Sequence, residues 1–245
     1  MRCVLAYRWS GLCRCTLVAA SLVLCTLLFS CAPKPDHAFV AAVRNIEPSV
    51  VLLTMRLPSS NTRQAPYDNA YATGTVVASG PWGSDILTVD HAVRDGWDMH
   101  ATIDNHRVVP AYVVAQDAHQ DIALVRTPVH PLPVARLGSS ANLQLDVGRQ
   151  LGLVGYPIPD EFHAYGLNLA TSLNSGRLSS VRNGMLEVTL PIVPGESGSP
   201  IFLADSGEII GIAESRFDTE HSIGFALPSD LAKAFLHRVD AIHGF

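Results

Sequence analysis

The chain has 245 residues, 48% of them apolar and only 16% charged. That composition excludes a disordered polyelectrolyte and leaves enough apolar side chain for one or two buried cores. Beyond a leader that carries Arg2, Arg8 and Arg14 and no acidic residue, 14 basic residues stand against 22 acidic ones, a net charge near −8. Such a balance argues against a nucleic-acid partner, whose phosphates need a basic face.

Residues 1–31 read as an export segment: the three arginines precede a 17-residue run, Cys15 to Cys31, that contains no charge. Its end, Leu28-Phe29-Ser30-Cys31, resembles a bacterial lipoprotein signal in which Cys31 becomes the lipidated residue, although Phe29 is bulkier than such signals favour. Two other readings stay open, an uncleaved anchor and ordinary cleavage near Ser30-Cys31-Ala32. All five cysteines (Cys3, Cys13, Cys15, Cys25 and Cys31) lie in this leader. The rest of the chain therefore uses no disulfide, no thiol nucleophile and no cysteine-ligated zinc.

After a spacer at 32–37, apolar residues at helical spacing predict a helix over 38–46, which Pro48 ends, and a strand over 49–55. Short β-branched or apolar runs then follow, separated by Gly, Pro, Asn and Asp, at 74–78, 86–89, 107–115, 122–126, 149–154, 167–175, 185–190, 209–213 and 223–226. Many short strands of this kind predict an all-β barrel or sandwich. The Pro-, Ser- and Gly-rich stretch 127–145 reads as a connection between two barrels, one at about 48–130 and one at about 145–228. A final helix is expected over about 229–239, capped at Ser229 or Asp230 with Leu231, Ala234, Phe235 and Val239 as its apolar stripe.

The most informative stretch is Val193-Pro194-Gly195-Glu196-Ser197-Gly198-Ser199-Pro200, a serine between glycines in a tight turn. Glycine allows the sharp bend and lets backbone N–H groups approach a substrate carbonyl, so Gly195 and Ser197 are the candidate oxyanion donors. A serine hydroxyl needs a base. Of ten histidines, His91 follows directly on an apolar strand, whereas His100, His106, His119, His130, His163 and His221 sit in polar or Pro-rich settings without metal-ligand spacing. An acceptor must hold the imidazole in one tautomer, and Asp121 at the head of Ile122-Ala123-Leu124-Val125 suits that role better than Asp117, Asp90 or Asp98.

The order His91, Asp121, Ser197 resembles the trypsin-like serine proteases, and within them the HtrA/Deg protease domain without its PDZ domain. Pro48-Ser49-Val50-Val51, Gly74-Thr75-Val76-Val77, Gly155-Tyr156-Pro157, the stretch from Ser175 to Val181, Gly207 to Ile212 and Gly224 to Ser229 match that group in the same order. The resemblance implies a chymotrypsin-like protease domain over 38–245, all-β, with two six-stranded antiparallel β-barrels and a short helix at each end. It also implies a serine endopeptidase acting through an acyl-enzyme on exported or unfolded proteins of the periplasm or cell envelope. The chemistry is complete without metal or cofactor. A primary pocket is expected from Leu190, Pro191, Ile192 and Val193 on one side and Ile212, Ala213 and Glu214 on the other. Glu196 stands where the group has Asn or Asp, and Ser199 where it has a second glycine. Glu196 keeps a rival reading open, a protease-shaped binding scaffold without turnover.

Overall fold

The computed structural model describes residues 35–59, 66–217 and 220–243; the export leader and Cys31 lie outside them. Among the described residues, no helix is long and apolar enough to cross a membrane. Helix α1 (Pro35–Ile46) starts three residues before the expected position, with a proline as its first residue, where the missing N–H costs nothing. A 3₁₀ turn at Glu47–Ser49 then leads into the strands.

Seven strands make the first sheet: β1 (Val50–Pro58), β2 (Tyr67–Gly80), β3 (Gly83–Thr88), β4 (Trp97–Ile103), β5 (Arg107–Pro110), β6 (Tyr112–Asp117) and β7 (Ile122–Thr127), in the order β5-β4-β1-β2-β3-β7-β6. A one-turn helix, α2 (Asp90–Val93), follows β3. The second sheet is a closed barrel of β8 (Gln150–Gly155), β9 (Ser172–Arg182), β10 (Met185–Val188), β11 (Pro200–Leu203), β12 (Ile209–Phe217) and β13 (Glu220–Pro228), with α3 (Pro159–Ala164) in the β8–β9 connection. Helix α4 (Ser229–His243) closes the chain.

The all-β expectation and the terminal helices hold, while the first lobe differs from the expected six-stranded barrel: it is a seven-stranded sheet whose ladder does not close. Pro110 explains the extra strand. The run expected at 107–115 becomes β5 and β6, broken at Ala111, whose N–H turns to the Met99 carbonyl of β4.

Alternation along β1 shows how the lobes are joined. Val51, Leu53 and Met55 enter the core of the first sheet, with Val76, Ile86 and Val125. Val50 and Leu52 point the other way, into a cluster with Ala42 and Ile46 of α1, Val154 of β8, Tyr156 just after it, and Phe202 of β11. On β12, Ile210 and Ala213 enter the barrel core with Leu151, Leu153 and Val188. Ile212 instead joins Leu87, Ile122 and Leu124 of the first sheet with Ala232, Phe235 and Val239 of α4. Strands buried on both faces form two apolar seams, and each terminal helix fills one. The connection 128–149 contributes to both lobes through Ala135 N–H to Val76 O and Gly138 N–H to Ile209 O.

Asp85 and Arg126 are register partners on β3 and β7, joined by a two-pronged ion pair at 2.6 and 3.0 Å with both side chains about 8% exposed. Asp85→Ala deprives a buried guanidinium of its carboxylate and should cost about 3–5 kcal/mol in urea unfolding, most of it regained in Asp85→Leu with Arg126→Met. A loss below about 1 kcal/mol would show that water reaches the pair freely.

Candidate active site

Strand β3 delivers His91 on the single turn of α2, and β7 begins one residue after Asp121. Asp121 adopts φ +50°, a left-handed conformation sparsely populated by non-glycine residues. That bend lets its carboxylate grip His91 twice: Oδ1 accepts the His91 backbone N–H at 2.8 Å and Oδ2 lies 2.6 Å from Nδ1. The pairing raises the imidazole above its ordinary pKa, against the opposing effect of burial, with smaller contributions from Glu214 and Asp90. Burial works to raise the Asp121 carboxyl and the hydrogen bonds from His91 work to lower it; the net direction is downward. Asp90 turns away, buried and paired through Oδ2 with Arg94. Asp117 accepts the backbone N–H groups of His119 and Gln120 and pairs with Arg238.

The serine lies in two consecutive turns that share Glu196. Glu196 N–H bonds to Val193 O at 3.0 Å, and Ser199 N–H to Glu196 O at 3.0 Å. The third residue of each turn, Gly195 (φ +94°) and Gly198 (φ +91°), holds the positive φ a type II turn demands. A side chain at Gly195 would collide with the Tyr156 carbonyl, and one at Gly198 with the Thr73 carbonyl.

The carbonyls of this loop are tied down one after another. Pro194 O accepts from Ile158 N–H (2.7 Å), Gly195 O from Thr73 Oγ1 (2.7 Å), Ser197 O from Thr73 N–H (2.9 Å) and Gly198 O from Thr75 Oγ1 (3.4 Å). In a trans peptide the N–H points opposite to the preceding carbonyl, so fixing Pro194 O aims the Gly195 N–H away from Ile158. Among the described residues, the N–H groups of Gly195 and Ser197 donate to nothing. Ile158 makes its bond from φ +36°, strained for a β-branched residue, which marks the turn after β8 as held by its surroundings.

Ser197 Oγ donates to Glu214 O at 3.3 Å, and no hydrogen bond joins it to His91. Glu214 is the extra residue of a β-bulge, since Ala213 pairs with Ala226 and Ser215 with Phe225. A bulge re-aims the backbone, here placing a carbonyl at the serine.

Glu196 has no exposed surface. Its Oε1 accepts from Asn174 Nδ2 at 2.7 Å and its Oε2 from Val193 N–H at 2.9 Å. Burial pushes the carboxyl up to about 7, partly opposed by the Val193 N–H. Ser199 Oγ is buried without a partner.

Of the expected pocket residues, Leu190, Ile192 and Ala213 belong to the barrel core and Ile212 to the α4 seam. None of these four has appreciable surface open to a substrate, which leaves Pro191, Val193 and Glu214 exposed or half-buried beside the serine loop. Nothing local in the sequence marks Thr73, Ile158 and Asn174, because their roles rest on contacts with residues 17 to 124 positions away. Among the described residues, no three His, Cys, Asp or Glu side chains are grouped to hold a metal ion.

A closed β-barrel joined to a curled sheet, with a histidine–aspartate pair at the end of one and a glycine-flanked serine loop on the other, defines the two-lobed trypsin-like class. The chain belongs to the trypsin-like peptidase domain family, whose model matches residues 72–212. It is 30% identical over 223 residues to the mitochondrial serine protease HTRA2 of Bos taurus, covering 84% of this chain and 44% of that protein. It is 28% identical over 150 residues to a DegP-like periplasmic serine endoprotease of Halomonas elongata, covering 60% and 31%. The chain thus spans less than half the length of these relatives. Among solved structures it resembles a serine endoprotease from Yersinia pestis (TM-score 0.64, 25% identity, 82% of this chain and 66% of that one). The HtrA-type protease AlgW with a tripeptide shares the fold (TM-score 0.68, 21% identity, 82% and 63%).

Thr73→Val keeps the shape of the side chain but strands Gly195 O and the Tyr156 N–H, which bonds Thr73 Oγ1 at 3.0 Å. It should cost about 1–3 kcal/mol in chemical denaturation, whereas Ser199→Ala, which removes an unpaired hydroxyl, should be neutral or stabilising. The reverse ranking would contradict this description of the loop.

Proposed function

We propose that the chain is a serine endopeptidase in which Ser197 is the nucleophile, His91 the general base and acid, and Asp121 the group that orients and stabilises the imidazolium. The observation that carries this reading is the pair of unengaged N–H groups at Gly195 and Ser197, in a loop whose carbonyls are held elsewhere. Such donors contribute only when an oxyanion develops in front of them.

In this mechanism Ser197 Oγ leaves the Glu214 carbonyl and rotates towards His91 Nε2. The proton passes to Nε2 while the Oγ–carbon bond forms, and the carbonyl oxygen takes its negative charge against the two N–H groups. His91 then gives that proton to the amine as the carbon–nitrogen bond breaks, and water releases the acyl group by the same route. Pro191, Val193 and Glu214, the residues left open beside the serine loop, are the proposed contacts for the substrate side chain. Unfolded or exported proteins of the cell envelope are the proposed substrates, supported by the basic-then-apolar leader and by the periplasmic designation of the Halomonas relative.

His91 must be neutral to act, and its pKa lies above the ordinary 6.5. Activity is therefore lost as pH falls through that raised value. Casein turnover by the protein should be abolished in Ser197→Ala and by a fluorophosphonate. Asp121→Asn should lower kcat by roughly three to four orders of magnitude and move the acid limb of kcat/KM to lower pH. Absence of both cleavage and labelling would favour a binding scaffold.

A further inference from the structure

Most of the serine loop is held through its backbone, by bonds that any sequence of similar shape could make. Glu196 is different, because its side chain is the only ionisable group in the stretch from Val193 to Ser199, and it is turned inward where a charge is expensive. A buried carboxyl in such a place needs a reason, and its contacts supply one.

Both carboxyl oxygens meet donors. Oε2 takes the Val193 N–H at 2.9 Å, while the Glu196 N–H returns to Val193 O at 3.0 Å. Residues 193 and 196 are thus clasped on both sides of the Pro194-Gly195 peptide, the unit that presents one of the two oxyanion donors. Oε1 takes Asn174 Nδ2 at 2.7 Å, and the same amide group donates to Pro191 O at 3.2 Å. Asn174 sits on β9, paired in register with Leu153 of β8. The clasp is therefore anchored through β9 to the closed barrel, and the same amide holds Pro191, two residues before Val193.

We propose that Glu196 and Asn174 are a positioning pair for acyl transfer, holding the Val193–Glu196 turn so that the Gly195 and Ser197 N–H groups stay aimed at the developing oxyanion. The proposal rests on the endopeptidase reading and adds to it two residues that touch neither the substrate nor the reacting atoms.

The two donors suit a carboxylate, which accepts only; protonation turns one oxygen into an O–H that faces a donor and loosens the clasp. Among the described residues no charged side chain pairs with Glu196: burial raises its pKa to about 7, opposed by the Val193 N–H, and the Asn174 amide meets its other oxygen. The Asn174 amide and the loop backbone are its polar neighbours. His91, with Asp121, Glu214 and Asp90 around it, titrates separately. Two protons must therefore leave before the site works, one from His91 and one from Glu196, and the acid limb of kcat/KM should be steeper than a single ionisation.

The test compares the wild-type protein with Asn174→Ala and Glu196→Gln in steady-state kinetics across pH. The expected result is a fall in kcat of about 10-fold or more in both variants, short of the 10²–10³ for deleting an oxyanion donor, with KM within about twofold. Glu196→Gln should also reduce the acid limb to one proton. Asn174 is half-buried on a strand, so its variant keeps the question open should Glu196→Gln fold poorly. A readout independent of turnover is the Val193 amide resonance, which should titrate near pH 7 in the wild type and stay flat in Glu196→Gln. An active wild type with unchanged kcat in both variants overturns the positioning pair alone, as does a Val193 amide resonance that is the same in the wild type and in Glu196→Gln at every pH. An inert wild type with Ser197 unlabelled overturns the endopeptidase reading, and the positioning role with it.

Discussion

Thr73 is the joint on which the candidate site depends. From the middle of β2 it donates Oγ1 to the Gly195 carbonyl and its N–H to the Ser197 carbonyl, while Oγ1 accepts the Tyr156 N–H from the turn after β8. Its own carbonyl receives Thr88 Oγ1, from the end of the strand that leads to His91. One small side chain and its peptide thus couple the first sheet, the serine loop and the second barrel. The apolar seams hold the lobes together, but they are not directional. Hydrogen bonds with fixed lengths and angles are what set the loop against the histidine.

Around that joint the molecule accepts several local costs. Asp121 and Ile158 occupy left-handed backbone conformations, the Glu196 carboxyl is buried and its proton affinity raised, and Ser199 Oγ has no partner. Such features persist only where the surroundings over-determine them, and they gather at functional sites. Here the first three each fix a direction: the imidazole, the Pro194 carbonyl and the Val193 N–H. The fourth has no such consequence, and nothing in the structure explains why Ser199 is there.

Much of the architecture was legible in the sequence because β-branched runs between turn residues report strands directly. Elements hidden in mixed patterns were not. β4 (Trp97–Ile103) alternates Met99, Ala101 and Ile103 inward with Asp98, His100 and Thr102 between them, a period-2 signal diluted by its polar face. β11 (Pro200–Leu203) starts on a proline and continues straight out of the serine motif. The short helix α3 carried its own signal in Pro159, Asp160 and Glu161. At the site, His91 and Asp121 could be chosen because each adjoins an apolar strand, and the structure joins them. Glu196 was visible as a departure from the family pattern, but its partner Asn174 was not, because a contact across 22 residues leaves no local periodicity.

The proposed activity requires Ser197 to be a nucleophile activated by His91. The direct measurement is intact-mass and peptide mapping of the protein after exposure to a fluorophosphonate, alongside His91→Ala. A single adduct on Ser197 that forms far more slowly in His91→Ala is the predicted result. No adduct, an adduct elsewhere, or equal labelling of both proteins would contradict it.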